Sequence, residues 1–166
     1  GGLEADVTVI KIEEEKFMVV VSDTMHTHSL TWLRRNIALD AHAFVTDVTS
    51  GLTQINVQGP NSRALLQELT SADLSTEAFP FRTARDIDIG LARALCVRIT
   101  YVGELGYELY VPCEQAVQVY DLLVEAGKRH GLKHAGLQAL GSLRLEKGYR
   151  DYGHDLDNTD NAYATG

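Results

Sequence analysis

A chain of 166 residues is long enough for one compact domain with a sizeable core, and 45% hydrophobic and 23% charged residues is an ordinary globular composition. It contains no run of about 18 apolar residues, which excludes a helical membrane span. A formal net charge of −8 without a basic patch argues against duplex nucleic acid as a partner.

In chain order, "DVTVIKI" (6–12) alternates apolar and polar residues and predicts a half-buried strand. "KFMVVVS" (16–22) predicts a second, with Glu13, Glu14 and Glu15 as the turn between them. "SLTWLRRNIAL" (29–39) places Leu30, Leu33 and Ile37 at helical spacing, with Ser29 as its cap. "AFVTDVT" (43–49) and "LTQINVQG" (52–59) read as two further strands around Ser50–Gly51. Pro60 then opens a helix in "PNSRALLQELT" (60–70). Strands are expected at 82–88 and 91–101, then a helix at 114–131 with Ala116, Val117, Val119, Tyr120, Leu123 and Val124 along one face, stopped near Gly127 or Gly131. A last helix is expected at 137–149, despite the cost of Gly141. Antiparallel hairpins with helices on one face make the expected fold α+β. Both halves share a strands-then-helix rhythm, which a duplicated half-domain would produce, although no sequence repeat accompanies it. The start at Gly1 without Met and the polar end "DNTDNAYATG" fit a domain excised from a longer polypeptide.

Several residues carry chemical potential. His26 and His28, and His130 with His134, have ligand-like intervals, but ligand identity alone does not define a metal site, and none is expected. "VQGPNSRALL" (57–66) has a glycine ahead of a helix start yet lacks the further glycines and the lysine of a phosphate loop. Cys96 lies in an apolar strand, where it reads as core, and the two cysteines are too far apart for a CxxC motif. "TYVGELGYELYV" (100–111) is richer. If Gly103–Gly106 form a hairpin loop, Val102 faces Tyr107 and Tyr101 faces Glu108, with opposed Cβ atoms about 5 Å apart. Glu104 then rides on the tip. From the residues alone, such a Tyr–Glu pair is more often a surface contact than a ligand site, and both readings stand.

"YVGELGYEL" (101–109) resembles the "YTGE-GYE" signature of the folate-binding domain in the glycine-cleavage T-protein (aminomethyltransferase) family. "GGLEADVTV" (1–9), "INVQGPNSRALLQ" (55–67) and "GLQALGSLRLEKGYRDYGHDLD" (136–157) resemble further blocks of that family, in family order and across nearly the whole chain. "ADLSTEAFPF" (72–81) and "SLRLEKGYR" (142–150) are most similar to the sarcosine and dimethylglycine dehydrogenase branch, in which this domain follows a flavin domain.

The resemblance implies tetrahydrofolate as the bound cofactor, over a single folate-binding domain spanning 1–166. It puts Asp6 beside the reacting folate nitrogens, as the catalytic carboxylate, and Tyr101 and Glu108 on the pterin. Arg144 matches the family pattern and is assigned to structure. The implied reaction captures a one-carbon unit, as an iminium or formaldehyde derived from an N-methyl amine, to give 5,10-methylenetetrahydrofolate. FAD would belong to a covalently linked upstream domain, since no glycine-rich fingerprint occurs here. The implied location is the mitochondrial matrix in a eukaryote and the cytoplasm in a bacterium. Leu140 and Gly141 replace the arginine and aspartate of the T-protein "ARD" motif, which favours the dehydrogenase branch over an aminomethyltransferase. A non-catalytic relative, like the regulatory subunit of pyruvate dehydrogenase phosphatase, and a glycine-cleavage aminomethyltransferase are the two alternatives.

Overall fold

Alternating β-branched residues build the first elements of the computed structural model, which describes residues 1–166. The chain divides into two compact units, Gly1–Asp47 with Arg150–Gly166, and Val48–Tyr149.

In the first unit, β1 (Val7–Glu13) and β2 (Lys16–Val21) pair antiparallel, with Val9 opposite Val19 and Ile10 opposite Met18. The turn is flanked by surface ion pairs, Lys16–Glu13 and Lys11–Glu14, both at 3.1 Å. Helix α1 (His26–Arg35) begins ahead of the expected Ser29 and stops at Asn36, whose side-chain amide donates to the Trp32 carbonyl at 2.8 Å. Ser29 is therefore not the cap: it is buried inside the helix and its hydroxyl has no partner. The expected strand at 43–49 is absent. No strand pairs with this stretch, and Asp47 instead takes His26 Nε2 at 2.9 Å. The C-terminal segment is tied to the N-terminal one by Leu3 N–H to the Asp160 carbonyl at 3.0 Å and Tyr152 hydroxyl to the Leu3 carbonyl at 2.9 Å.

The second unit holds β3 (Leu52–Gln58), α2 (Ser62–Gln67), β4 (Ala84–Ile89), β5 (Ala92–Val97), β6 (Gly106–Pro112), α3 (Ala116–His130) and α4 (Leu137–Glu146). Its sheet has the order β3-β6-β5-β4, antiparallel throughout. One sheet face carries Val57, Ile87, Ala94, Cys96, Tyr107, Leu109 and Val111, which pack with Leu65 and Leu66 of α2 and Val119 and Leu123 of α3. Each large apolar side chain buried this way contributes about 1.5–3 kcal/mol.

Helix α2 starts at Ser62, after Pro60, because Gly59 has φ 115° and a turn first closes from Ser62 N–H to the Gly59 carbonyl at 3.1 Å. Glu68, following α2, accepts from Arg129 and from His130 Nε2, at the end of α3. These two hydrogen bonds hold its carboxyl below the ordinary value. Gly131 ends α3 in the left-handed region at φ 71°, and Leu132 N–H returns to the Gly127 carbonyl at 3.0 Å, the closing bond of a Schellman turn. Arg144 is 9% exposed and its Nη1 donates to the Tyr149 carbonyl at 3.0 Å, closing the turn after α4.

The fold is α+β. Each unit has strands and helices, on a two-stranded sheet in one and a four-stranded sheet in the other.

Candidate functional site

Strand β6 sorts its side chains by alternation. Tyr107, Leu109 and Val111 enter the core, where Tyr107 packs against Phe79 at 5.9 Å between ring centroids and accepts a hydrogen bond from Arg63 Nε at 3.2 Å. Gly106, Glu108 and Tyr110 belong to the opposite face. There the register sets Glu108 between Asn56 of β3 and Val97 of β5, and Tyr110 between Gln54 and Leu95.

On that face the Tyr110 hydroxyl donates to Glu108 Oε2 at 2.5 Å, and Gln54 Nε2 donates to the Tyr110 oxygen at 3.5 Å. Tyr110 is only 3% exposed. Burial, and then the Glu108 carboxylate, push its phenol well above the ordinary tyrosine value, so its proton stays in place. Next along β3, the side-chain oxygen of Gln58 is buried without a hydrogen-bond partner. It lies against Gly106, where an added Cβ would collide with it. Glu108 and the amides of Gln54, Asn56 and Gln58 thus share one sheet face with Leu95, Val97 and Tyr110, and the other face is the main core.

The expected four-residue hairpin loop is not formed. Val97, and not Tyr101, lies opposite Glu108, and residues 98–105 leave the sheet before β6 begins. The cause is a competing set of bonds. Gly59 N–H and the Ser62 hydroxyl both donate to the Leu105 carbonyl, at 2.7 and 3.2 Å, and Val102 N–H turns to the Thr100 hydroxyl at 3.1 Å. Tyr101 stacks on Tyr149, with 6.1 Å between centroids and planes 12° apart. Tyr149 also lines a cavity of about 330 Å³ with Phe81, Arg98, Thr100 and the Gly103–Gly106 stretch. Glu104 pairs with Lys147 at 2.9 Å.

Asp6 is in the first unit, exposed, immediately before β1. Its neighbours Ala5 and Val7 line an apolar cavity of about 270 Å³ with Val9, Val19, Trp32 and Leu33, while Asp6 is not among its walls. The histidines engage different partners: His26 meets Asp47, His28 meets Glu4 at 3.3 Å, His130 meets Glu68, and His134 meets the Tyr120 hydroxyl at 2.9 Å. No group of three or more His, Cys, Asp or Glu side chains converges to hold a metal ion. No helix is long and apolar enough to cross a membrane.

Sequence reasoning missed Tyr110 and the amides of β3. Their signal was present as period-two spacing, Glu108 with Tyr110 and Gln54-Asn56-Gln58, once each stretch is read as a strand with a polar face.

The profile of the GCVT N-terminal domain matches residues 1–166. The 4-methylaminobutanoate oxidase (formaldehyde-forming) of Paenarthrobacter nicotinovorans is 42% identical over 166 residues, covering 100% of this chain and 20% of that protein. Mitochondrial sarcosine dehydrogenase of Mus musculus is 35% identical over 182 residues, again covering 100% of this chain and 20% of the relative. The chain therefore spans about a fifth of the length of these relatives. Among solved structures, heterotetrameric sarcosine oxidase from Corynebacterium sp. U-96, in complex with pyrrole 2-carboxylate, superposes with a TM-score of 0.63 at 15% identity. That match covers 82% of this chain and 66% of the other, and it is a likeness of fold. With its full length matched, the chain belongs to the T-protein family, that of the GCVT N-terminal domain.

Proposed function

We propose that this chain is the tetrahydrofolate-binding part of a larger flavoprotein that oxidatively demethylates an N-methyl amine such as sarcosine or dimethylglycine. In this reading it captures the released one-carbon unit as 5,10-methylenetetrahydrofolate. The observation that carries it is Glu108, a carboxylate held on a rigid three-strand platform beside Asn56. A pterin edge presents adjacent N–H donors, and one carboxylate can accept both with charge-assisted bonds. The buried, unanswered oxygen of Gln58 on the same face fits a ligand that brings further donors.

Tetrahydrofolate held there would supply two nucleophilic nitrogens as the acceptor of the methylene carbon. Glu108 holds the pterin edge. Tyr101, already stacked on Tyr149, offers a flat aromatic surface to the ring system. Asp6 would relay protons from the two folate N–H groups to the departing amine, which takes up both, so no net proton is released. Holding the acceptor where the iminium emerges is a proximity effect. The oxidation is assigned to a flavin domain outside this chain. The same reading puts the protein in the mitochondrial matrix of a eukaryote or the cytoplasm of a bacterium.

The test is calorimetric titration of tetrahydrofolate into the full-length protein. Removing both charge-assisted bonds by Glu108→Ala is expected to weaken binding at least about tenfold. Equal affinities for the variant and the wild type would remove Glu108 from the site. Asp6→Asn is expected to leave binding intact and slow folate-dependent turnover; unchanged turnover would take Asp6 out of the chemistry.

A further inference from the structure

We propose that Tyr110 is a positioning residue for Glu108, holding one carboxylate oxygen so that the other faces the ligand; the inference rests on the reading of Glu108 as the pterin carboxylate. A glutamate on an open sheet face turns about its side-chain bonds, and bidentate recognition needs both oxygens in the plane of the donor pair. Tyr110 removes that freedom. It stands two residues further along β6 and therefore on the same face, and its hydroxyl reaches Oε2 at 2.5 Å.

The donor direction is fixed from behind. Gln54 Nε2 donates to the phenolic oxygen, which leaves the single phenolic proton for Glu108. The ring itself is locked by burial at 3% exposure. Strand β6 is paired on both sides, with β3 and β5, so the phenol and the carboxylate share one rigid backbone. A carboxylate offers about four acceptor positions, and Tyr110 occupies one on Oε2. Oε1 and the second position of Oε2 remain for two adjacent N–H donors. Gln54, Tyr110 and Glu108 thus form a chain in which every donor points toward the ligand carboxylate.

The experiment compares wild type, Tyr110→Phe, Glu108→Ala and the double variant in the full-length protein. Tetrahydrofolate and its 2-desamino analogue are titrated anaerobically into each. Phenylalanine keeps the ring and deletes only the hydroxyl, so packing is preserved. Tyr110→Phe is expected to lose up to about tenfold in tetrahydrofolate affinity, the scale of immobilising one rotamer-rich side chain on binding. It is also expected to discriminate less between the two ligands, because an unpinned carboxylate no longer presents both acceptors together. In the Glu108→Ala background the added loss is expected to vanish, since Tyr110 acts through Glu108. An undiminished loss in that background overturns the inference. So does unchanged affinity and discrimination in Tyr110→Phe while Glu108→Ala is impaired, and that result leaves the folate reading standing. Wild-type affinity in Glu108→Ala overturns the folate reading and this inference with it.

Discussion

Cys96 and Cys113 have opposite chemical prospects, set by their places in the fold, one inside a strand and the other in the turn that follows one. Cys96 is on the core face of β5 with no exposed surface, and burial pushes its thiol up to about 12. Cys113 follows β6, is exposed, and its thiol donates to the Ser50 carbonyl at 3.2 Å. Iodoacetamide at pH 8 is expected to modify Cys113 alone in the folded protein, with Cys96 reacting only after denaturant; mass spectrometry of the labelled peptides decides it. The same shift sets a pH dependence. The folded value is raised above the ordinary 9.0, so the contribution is fully present below pH 9 and is lost as pH rises toward 12. Urea midpoints are expected to fall between pH 8 and 10.5, and Cys96→Ala is expected to flatten that fall. Glu108 and Asp6 stand out as candidates because a family-like motif surrounds each in the chain. Tyr110 needs the further step of reading "GYELY" as a strand, where alternation puts it on the face of Glu108. The departure of Tyr101 from the sheet is not legible there, because the backbone bonds at Leu105 decide it.

Helices respond to glycine according to what surrounds it, and two glycines here should give opposite results. Gly141 lies within α4 with open space around it, so an added methyl meets nothing. Gly141→Ala is expected to raise stability by about 0.5–1 kcal/mol through helix propensity and a less flexible unfolded chain. Gly127, in α3, faces the Leu132 side chain at 2.5 Å from an ideal Cβ, beside the Schellman bond that ends the helix. Gly127→Ala must displace Leu132 and is expected to lower stability by about 1–3 kcal/mol. Chemical denaturation of both variants reads the two signs; a shared sign would refute the packing argument. The elements that were readable beforehand share a property. β1, β2 and α3 contain their own periodicity and their own stop signals, so local physics suffices. The stretch 43–49 has strand composition but no neighbouring strand, and composition cannot supply the missing hydrogen-bond partner. The hairpin failed for the converse reason: its glycines permit a tight turn, and contacts with the β3–α2 connection drew the chain elsewhere.

At the scale of the whole molecule, buried apolar surface is unevenly divided. Ile10 is the one hydrophobic side chain buried in the first unit, while Val9, Phe17, Trp32, Leu39 and Phe44 there are exposed. All other buried apolar side chains belong to Val48–Tyr149, where Leu66, Leu74, Phe79, Tyr107 and Leu109 are at most 1% exposed. The first unit is also discontinuous, Gly1–Asp47 needing Arg150–Gly166 to be complete, so it must close a long loop before its contacts form. The second is continuous in sequence and has its own sheet and helices, which satisfies the usual requirement for independent folding. A chain of residues 48–149 alone is therefore expected to unfold in one cooperative urea transition, followed by far-UV circular dichroism. Limited proteolysis of residues 1–166 is expected to cut first within 36–47, a stretch with no regular secondary structure, and to leave a resistant core that includes 52–130. A non-cooperative, sloping transition for 48–149 would show that its core depends on the first unit, and would overturn this division of stability.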